Sequence, residues 1–127
     1  LYLRSLKELK FLSYIINNMI VTENKFGYIK LTDDVLKKFD VDAATAGNMV
    51  NNFNYIEDFV SWAVFTEDKN NDFIRGSIRS RGPIINDVAA KFGGGGHKLA
   101  SGVRLKNFEE VDKLVEALDL ECNKYES

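Results

Sequence analysis

Among its 127 residues the chain has one cysteine, one proline, one tryptophan and one histidine. With Cys122 alone there is no internal disulfide and no cysteine framework for a metal. With Pro83 alone there is no proline-rich linker. A lone histidine, His97, has no partner at a recognisable metal-ligand spacing and no obvious nucleophile to serve. Long apolar runs are missing too. The most apolar stretch, Phe11 to Val21, is too short to span a bilayer and carries Asn17 and Asn18 in its middle. No basic-then-apolar signal peptide opens the chain, and these features together fit a cytoplasmic, membrane-free location. The first residue is Leu1, so the chain reads as part of a longer protein.

What is present is one domain's worth of chain, 45% apolar and 28% charged, with no repeat and no low-complexity tract. The formal net charge of −2 hides an asymmetry. Between Arg75 and Lys106 stand seven basic residues against a single acid, Asp87. An acidic chain that collects its positive charge in one segment is expected to bind an anion there.

That segment holds Phe92-Gly93-Gly94-Gly95-Gly96-His97-Lys98-Leu99-Ala100-Ser101-Gly102. Four consecutive glycines carry a heavy entropic cost on folding. They suit a place where backbone N–H groups approach a bulky anion with no side chains in the way, and a phosphate is the leading candidate. The run matches neither the phosphate loop ending in Gly-Lys-Ser/Thr nor the Gly-x-Gly-x-x-Gly dinucleotide fingerprint. His97 is placed at the start of a helical turn at the mouth of this loop, with Lys98 beside it, where its imidazole can donate to a phosphate oxygen.

Helices and strands alternate along the chain. Leu3, Leu6, Leu9, Leu12, Ile15, Ile16, Met19 and Ile20 predict an amphipathic helix of about five turns. A short strand over Phe26–Leu31 follows. Thr32 or Asp33 then caps a helix to Phe39, and Asp42 caps another to about Asn54. Phe59–Thr66 reads as a strand buried on both faces, and after a turn over Glu67–Asp72 the strand Phe73–Arg79 pairs back on it. Alternation in the second arm puts Ile74, Gly76 and Ile78 on one face, and Arg75, Ser77 and Arg79 on the other. Asn86 is expected to cap a short helix to Phe92, with Gly93 in the left-handed position after it. A strand over Val103–Leu105 and a final helix through Phe108, Val111, Leu114, Val115, Leu118 and Cys122 complete a single α/β domain. Its mixed sheet should have about four to five strands, with helices packed on it. Trp62 and the other aromatics fall in apolar patterns and are assigned to the core, although an exposed one could stack on bases. Arg79-Ser80, ending the basic strand, is the other half of the expected site, because a guanidinium can grip two phosphate oxygens at once.

Ser77-Ile78-Arg79-Ser80, Asp87-Val88-Ala89-Ala90-Lys91-Phe92 and the glycine run to Gly102 together resemble one module. It is the DHH-associated C-terminal domain of the DHH-family phosphoesterases, in particular the bifunctional oligoribonuclease and pAp phosphatase (nanoRNase) branch. The likeness covers residues 1–127, weakly before Val50 and strongly from Phe73 to Leu105. Leu99 stands where many members carry asparagine.

The resemblance implies a substrate-binding set of Arg79, Ser80, Gly94, Gly95, Gly96, His97 and Lys98, with Asn51 added from the shared segment Gly47-Asn48-Met49-Val50-Asn51. It implies short oligoribonucleotides, pAp or other phosphorylated nucleotides as partners. Two Mn2+ ions would be held by an N-terminal catalytic domain of the same protein, and a homodimer could form through that protein. The Asp-His-His metal motif of that catalytic domain is absent from this sequence, so the chain by itself is expected to bind without hydrolysing. Two other readings use the same module. One is a cyclic-dinucleotide phosphodiesterase or single-strand exonuclease, and the other is a non-catalytic nucleic-acid-binding or dimerisation module.

Overall fold

The computed structural model describes residues 4–125. Leu3, which the periodicity draws into the first helix, lies outside the described residues. Ser5 caps α1 (Leu6–Asn18), its hydroxyl accepting from the Glu8 amide at 3.0 Å. The helix is shorter than its apolar spacing predicts. It stops at the two asparagines, where Asn18 donates to the Tyr14 carbonyl, and Met19 turns extended. Ile20 and Val21, expected in or beside the helix, form β1 and pair antiparallel with β2 (Phe26–Leu31). The face that α1 buries is correspondingly narrow: Phe11 and Ile15 are fully covered, while Leu6, Leu9 and Ile16 are exposed. Each buried side chain is worth about 1.5–3 kcal/mol.

Thr32 caps α2 (Asp33–Phe39), and Asp42 caps α3 (Ala43–Asn48), its carboxylate accepting from the Thr45 amide at 2.7 Å. The helix expected to reach Asn54 tightens after Asn48 into a 3-10 turn over Met49–Asn52. This brings the Val50 carbonyl to the indole N–H of Trp62 at 2.7 Å and seats the tryptophan in the core rather than on the surface. The hairpin of β3 (Ser61–Asp68) and β4 (Phe73–Ser80) then crosses the molecule, closed by a loop in which Asp72 takes φ 56.

Asn86 is not the cap of α4 (Asn86–Lys91). Ile85 occupies that position without a side-chain bond, and the Asn86 amide reaches instead to the Gly96 carbonyl at 3.4 Å. β5 (Gly95–His97), β6 (Ala100–Leu105) and α5 (Phe108–Lys124) complete the chain.

The sheet is mixed and has six strands in the order β1-β2-β3-β4-β6-β5, with only β2 and β3 parallel. The two strands beyond the four assigned ranges from the sequence are β1 and β5, which are two and three residues long. One face of the sheet carries a core under α4 and α5, built on Phe26, Phe65, Ile78, Leu105, Leu114 and Leu118. The other carries a core under α1–α3, built on Phe11, Leu31, Val50, Phe59, Trp62 and Val64. The α1–α3 layer touches β4 along α3 and the 3-10 turn. Beyond it, on the same face, Gly102, Arg104, Gly95 and His97 of β6 and β5 are exposed.

Candidate functional site

Register decides what meets on that bare face. Arg79 on β4 lies opposite Ala100 on β6, and Ala100 opposite His97 on β5. In a sheet, residues opposite one another share a face, so Arg79 and His97 stand in one row across three strands, roughly 10 Å apart. The small Ala100 between them leaves the gap open. The next row on the same face is Ser77, Gly102 and Gly95. It has almost no side chain at all. A third row pairs Arg75 with Arg104. The face is therefore a trough with a glycine floor and basic groups at both ends.

The glycine run is explained differently by the structure than by its composition. Gly93 has φ 82 and ends α4 in a Schellman motif: its N–H donates to Ala90 at 3.1 Å and that of Gly94 to Ala89 at 2.9 Å. A Cβ on Gly94 would lie 2.2 Å from the Gly102 carbonyl oxygen, and one on Gly96, at φ 143, would lie 2.7 Å from that of Ala100. Three of the four glycines thus have local steric or conformational reasons. The amides of Gly93 and Gly94 are already bonded within the fold, so no open cradle of consecutive N–H groups forms there.

Gly95 differs: a Cβ there would meet nothing within 4 Å. At Gly102 a Cβ would approach only the Gly76 carbonyl oxygen, at 3.6 Å, and at helical Gly47 only the Ser77 hydroxyl, at 3.5 Å. Neither packing nor a positive φ demands glycine at these three positions, and all three border the trough. Their common effect is to keep it empty.

His97 lies on the edge strand β5, not at the start of a helical turn as its neighbours suggest. The reason is a two-residue hairpin turn, Lys98-Leu99, that folds β5 back on β6. Within it the Leu99 N–H donates to His97 Nδ1 at 3.1 Å. This assigns the hydrogen of the neutral ring to Nε2, on the exposed side. The Leu99 carbonyl accepts from the Ser80 amide at 3.0 Å, and that of Lys98 from the Ile85 amide at 2.9 Å. Residue 99 works through its backbone, and an asparagine side chain is not needed for either bond. Lys98 itself is exposed at the turn.

Arg79 is half-buried, and Asn51 of the 3-10 turn aims it: Arg79 Nε donates to Asn51 Oδ1 at 3.2 Å, and Nη1 to the Ile78 carbonyl at 2.9 Å. Burial pushes the Arg79 pKa below its ordinary value by desolvation, yet a guanidinium so high to begin with stays charged. Ser80 is turned the other way. It is buried, donates to the Pro83 carbonyl at 2.6 Å and accepts from the Gly82 amide at 3.1 Å. Its single hydroxyl proton holds the turn after β4 and is not directed at the trough. Ser77, which belongs to the exposed face by alternation but not to the expected binding set, takes the position that Ser80 was expected to fill.

Not all of the positive charge converges. Arg81 reaches over Trp62 to the carbonyls of Asn54 at 2.8 Å and Ile56 at 2.6 Å, and to that of Phe59, where it fastens the loop behind the 3-10 turn. Among the described residues no group of three His, Cys, Asp or Glu side chains is arranged to hold a metal ion. No helix among them is long and apolar enough to cross a membrane.

A mixed sheet with helices on both faces, and a basic trough beside a glycine-rich hairpin, define an α/β module. Residues 23–124 match the DHHA1 domain, and the chain belongs to that family. It is 34% identical over 126 residues to the bifunctional oligoribonuclease and PAP phosphatase of Bacillus subtilis, covering 99% of this chain and 40% of that protein. The enzyme of the same description from Mycoplasma genitalium is 35% identical over 111 residues, covering 87% of this chain and 34% of its own. The crystal structure of an exopolyphosphatase-related protein from Bacteroides fragilis superimposes with a TM-score of 0.80 at 26% identity, covering 96% of this chain and 38% of that one. The chain thus spans about 40% or less of the length of these relatives.

Proposed function

We propose that this chain is the substrate-binding domain of a phosphoesterase that acts on short oligoribonucleotides and on pAp. The observation that carries the reading is the row Arg79–Ala100–His97 beside the empty floor Ser77–Gly102–Gly95. The Arg79 guanidinium and the His97 imidazole stand in one row roughly 10 Å apart across three strands, and in this reading a phosphate with its ribose lies between them. Arg79 supplies charge and two-pronged donation, His97 a donor at Nε2, and Ser77 a hydroxyl with no hydrogen-bond partner among the described residues. Lys98 adds charge at the rim. Gly95 and Gly102 admit the ligand, whereas Gly94 and Gly96 shape the hairpin that carries His97. Asn51 and Ser80 act through Arg79 and the turn rather than on the ligand.

The hydrolytic chemistry belongs, in this reading, to a separate catalytic domain of a longer cytoplasmic protein, where two Mn2+ ions would activate water. The reading assigns binding and positioning to this chain itself. Any homodimer would be a property of that longer protein.

Titration of the chain with pAp and with a dinucleotide at low salt, followed through backbone amide shifts, tests the proposal. The expected shifts centre on Ser77, Arg79 and Gly95–Lys98 and disappear in Arg79→Ala. A flat titration by the folded chain up to millimolar ligand would overturn it.

A further inference from the structure

The far end of the trough is unexplained by a single phosphate. Arg75 and Arg104 lie directly opposite each other on β4 and β6, an arrangement that repels like charges. Arg75 is compensated: its Nε donates to Asp68 Oδ2 at 2.8 Å. Arg104 is exposed and makes neither a hydrogen bond nor an ion pair among the described residues. Its guanidinium instead stands 5.0 Å from the Phe73 ring centroid, with that of Arg75 at 5.1 Å. The aromatic ring thus holds both cations in place without neutralising either. Beside them a cleft of about 450 Å³ opens, bordered by Ser77, Gly93, Gly94 and Gly102. It runs on from the glycine floor to the free margin of β6, because β5 pairs only with residues 100–102.

Arg75 and Arg79 are four residues apart on one strand, so the two basic ends are separated by roughly 13 Å. Nucleotides in a stacked strand advance by about 3.4 Å each, so this span exceeds one internucleotide step. Building on the function proposed above, we infer that Arg104 forms a second phosphate subsite. It takes a phosphate farther along the same single strand and so favours oligonucleotides over mononucleotides. A mononucleotide gripped by Arg79 and His97 does not reach it.

The test measures binding of pAp and of a 5′-phosphorylated five-nucleotide oligoadenylate to the chain over a range of salt. Arg104→Gln, an exposed substitution, is expected to weaken the oligonucleotide about tenfold at low salt and to change pAp less than twofold. It should also lower the salt slope for the oligonucleotide by about 0.7, the value for one phosphate contact on a single strand. Arg104→Lys should retain that slope, and Arg79→Ala should weaken both ligands. An Arg104→Gln protein that loses pAp and oligonucleotide equally, or that keeps the oligonucleotide affinity and slope of the unaltered chain, overturns the second subsite. Failure of the unaltered chain to bind either probe overturns the reading of the trough itself, and this subsite with it.

Discussion

Arg79 and Asn51 are twenty-eight positions apart in the chain, yet the Nε of one donates to the Oδ1 of the other at 3.2 Å. The bond ties the sheet to the 3-10 turn and fixes which way the guanidinium fork points. Asn51→Ala should leave the charge but free its direction. Nucleotide binding is expected to weaken about threefold to tenfold, less than for Arg79→Ala, with the melting temperature little changed. Calorimetric titration of the two variants side by side checks the order.

Gly94 and Gly95 are neighbours with opposite expectations. Gly94→Ala drives a Cβ to 2.2 Å from the Gly102 carbonyl oxygen, an overpacking that should cost about 1–3 kcal/mol of stability. Gly95→Val meets open space and should leave denaturant unfolding within about 0.5 kcal/mol of the parent. It should nevertheless abolish measurable pAp binding, because the side chain stands on the floor of the trough. Equal stability losses in both would refute the distinction.

His97 should be replaceable by the residue that copies the right nitrogen. Its Nδ1 accepts from the Leu99 amide, which leaves Nε2 as the donor. Glutamine carries an amide nitrogen near the Nε2 position, whereas asparagine reaches only as far as Nδ1. His97→Gln is therefore expected to keep more affinity for pAp than His97→Asn, and parity between the two would argue against Nε2 as the contact.

Much of this was legible in the residues. The strand Phe26–Leu31 and the alternation of Arg75, Ser77 and Arg79 follow from period-two patterning, and Gly93 from the need for a positive φ after a helix. Other parts had no local signal. β1 and β5 are too short to show a period. The glycine run hid two jobs under one composition, because close approach to another strand and space for a ligand both select glycine. The row Ser77–Gly102–Gly95 exists only through register between strands that the sequence separates, so Ser77, Gly102 and Arg104 could not be joined to His97 beforehand. Asn86 and Ser80 looked like a cap and a ligand-binding hydroxyl. Each instead bonds to a backbone carbonyl contributed by the fold around it.

Asp68 links stability to pH. Its bonds from Asn71 and Arg75 hold its carboxyl below the ordinary carboxylate value. A group with a lowered folded pKa stabilises fully above its unfolded value of about 3.9, and that contribution is lost as pH falls through the folded value. Asp68→Asn should thus be less stable than the parent at neutral pH, with the gap closing in strong acid. Urea unfolding at pH 7 and at pH 2.5 measures this, and a constant gap would contradict it.

Cys122 is buried in α5, and desolvation, with Asp119 and Glu121 nearby, pushes its thiol up to about 12. The thiolate is the reactive form, so native protein at pH 8 should resist a disulfide exchange reagent and react only as it unfolds. Labelling at native rates comparable to free cysteine would show that α5 does not stay docked.

The sheet separates two interiors, one beneath α4 and α5 and one beneath α1–α3. The hairpin that carries His97 rests against the first, and the turn that carries Asn51 belongs to the second. Repacking the interior beneath α1–α3 would therefore shift the turn that carries Asn51, and with it the aim of the Arg79 guanidinium, while the hairpin that carries His97 stays seated. The two ends of one row thus answer to two separate cores, and a change in either core moves one end alone.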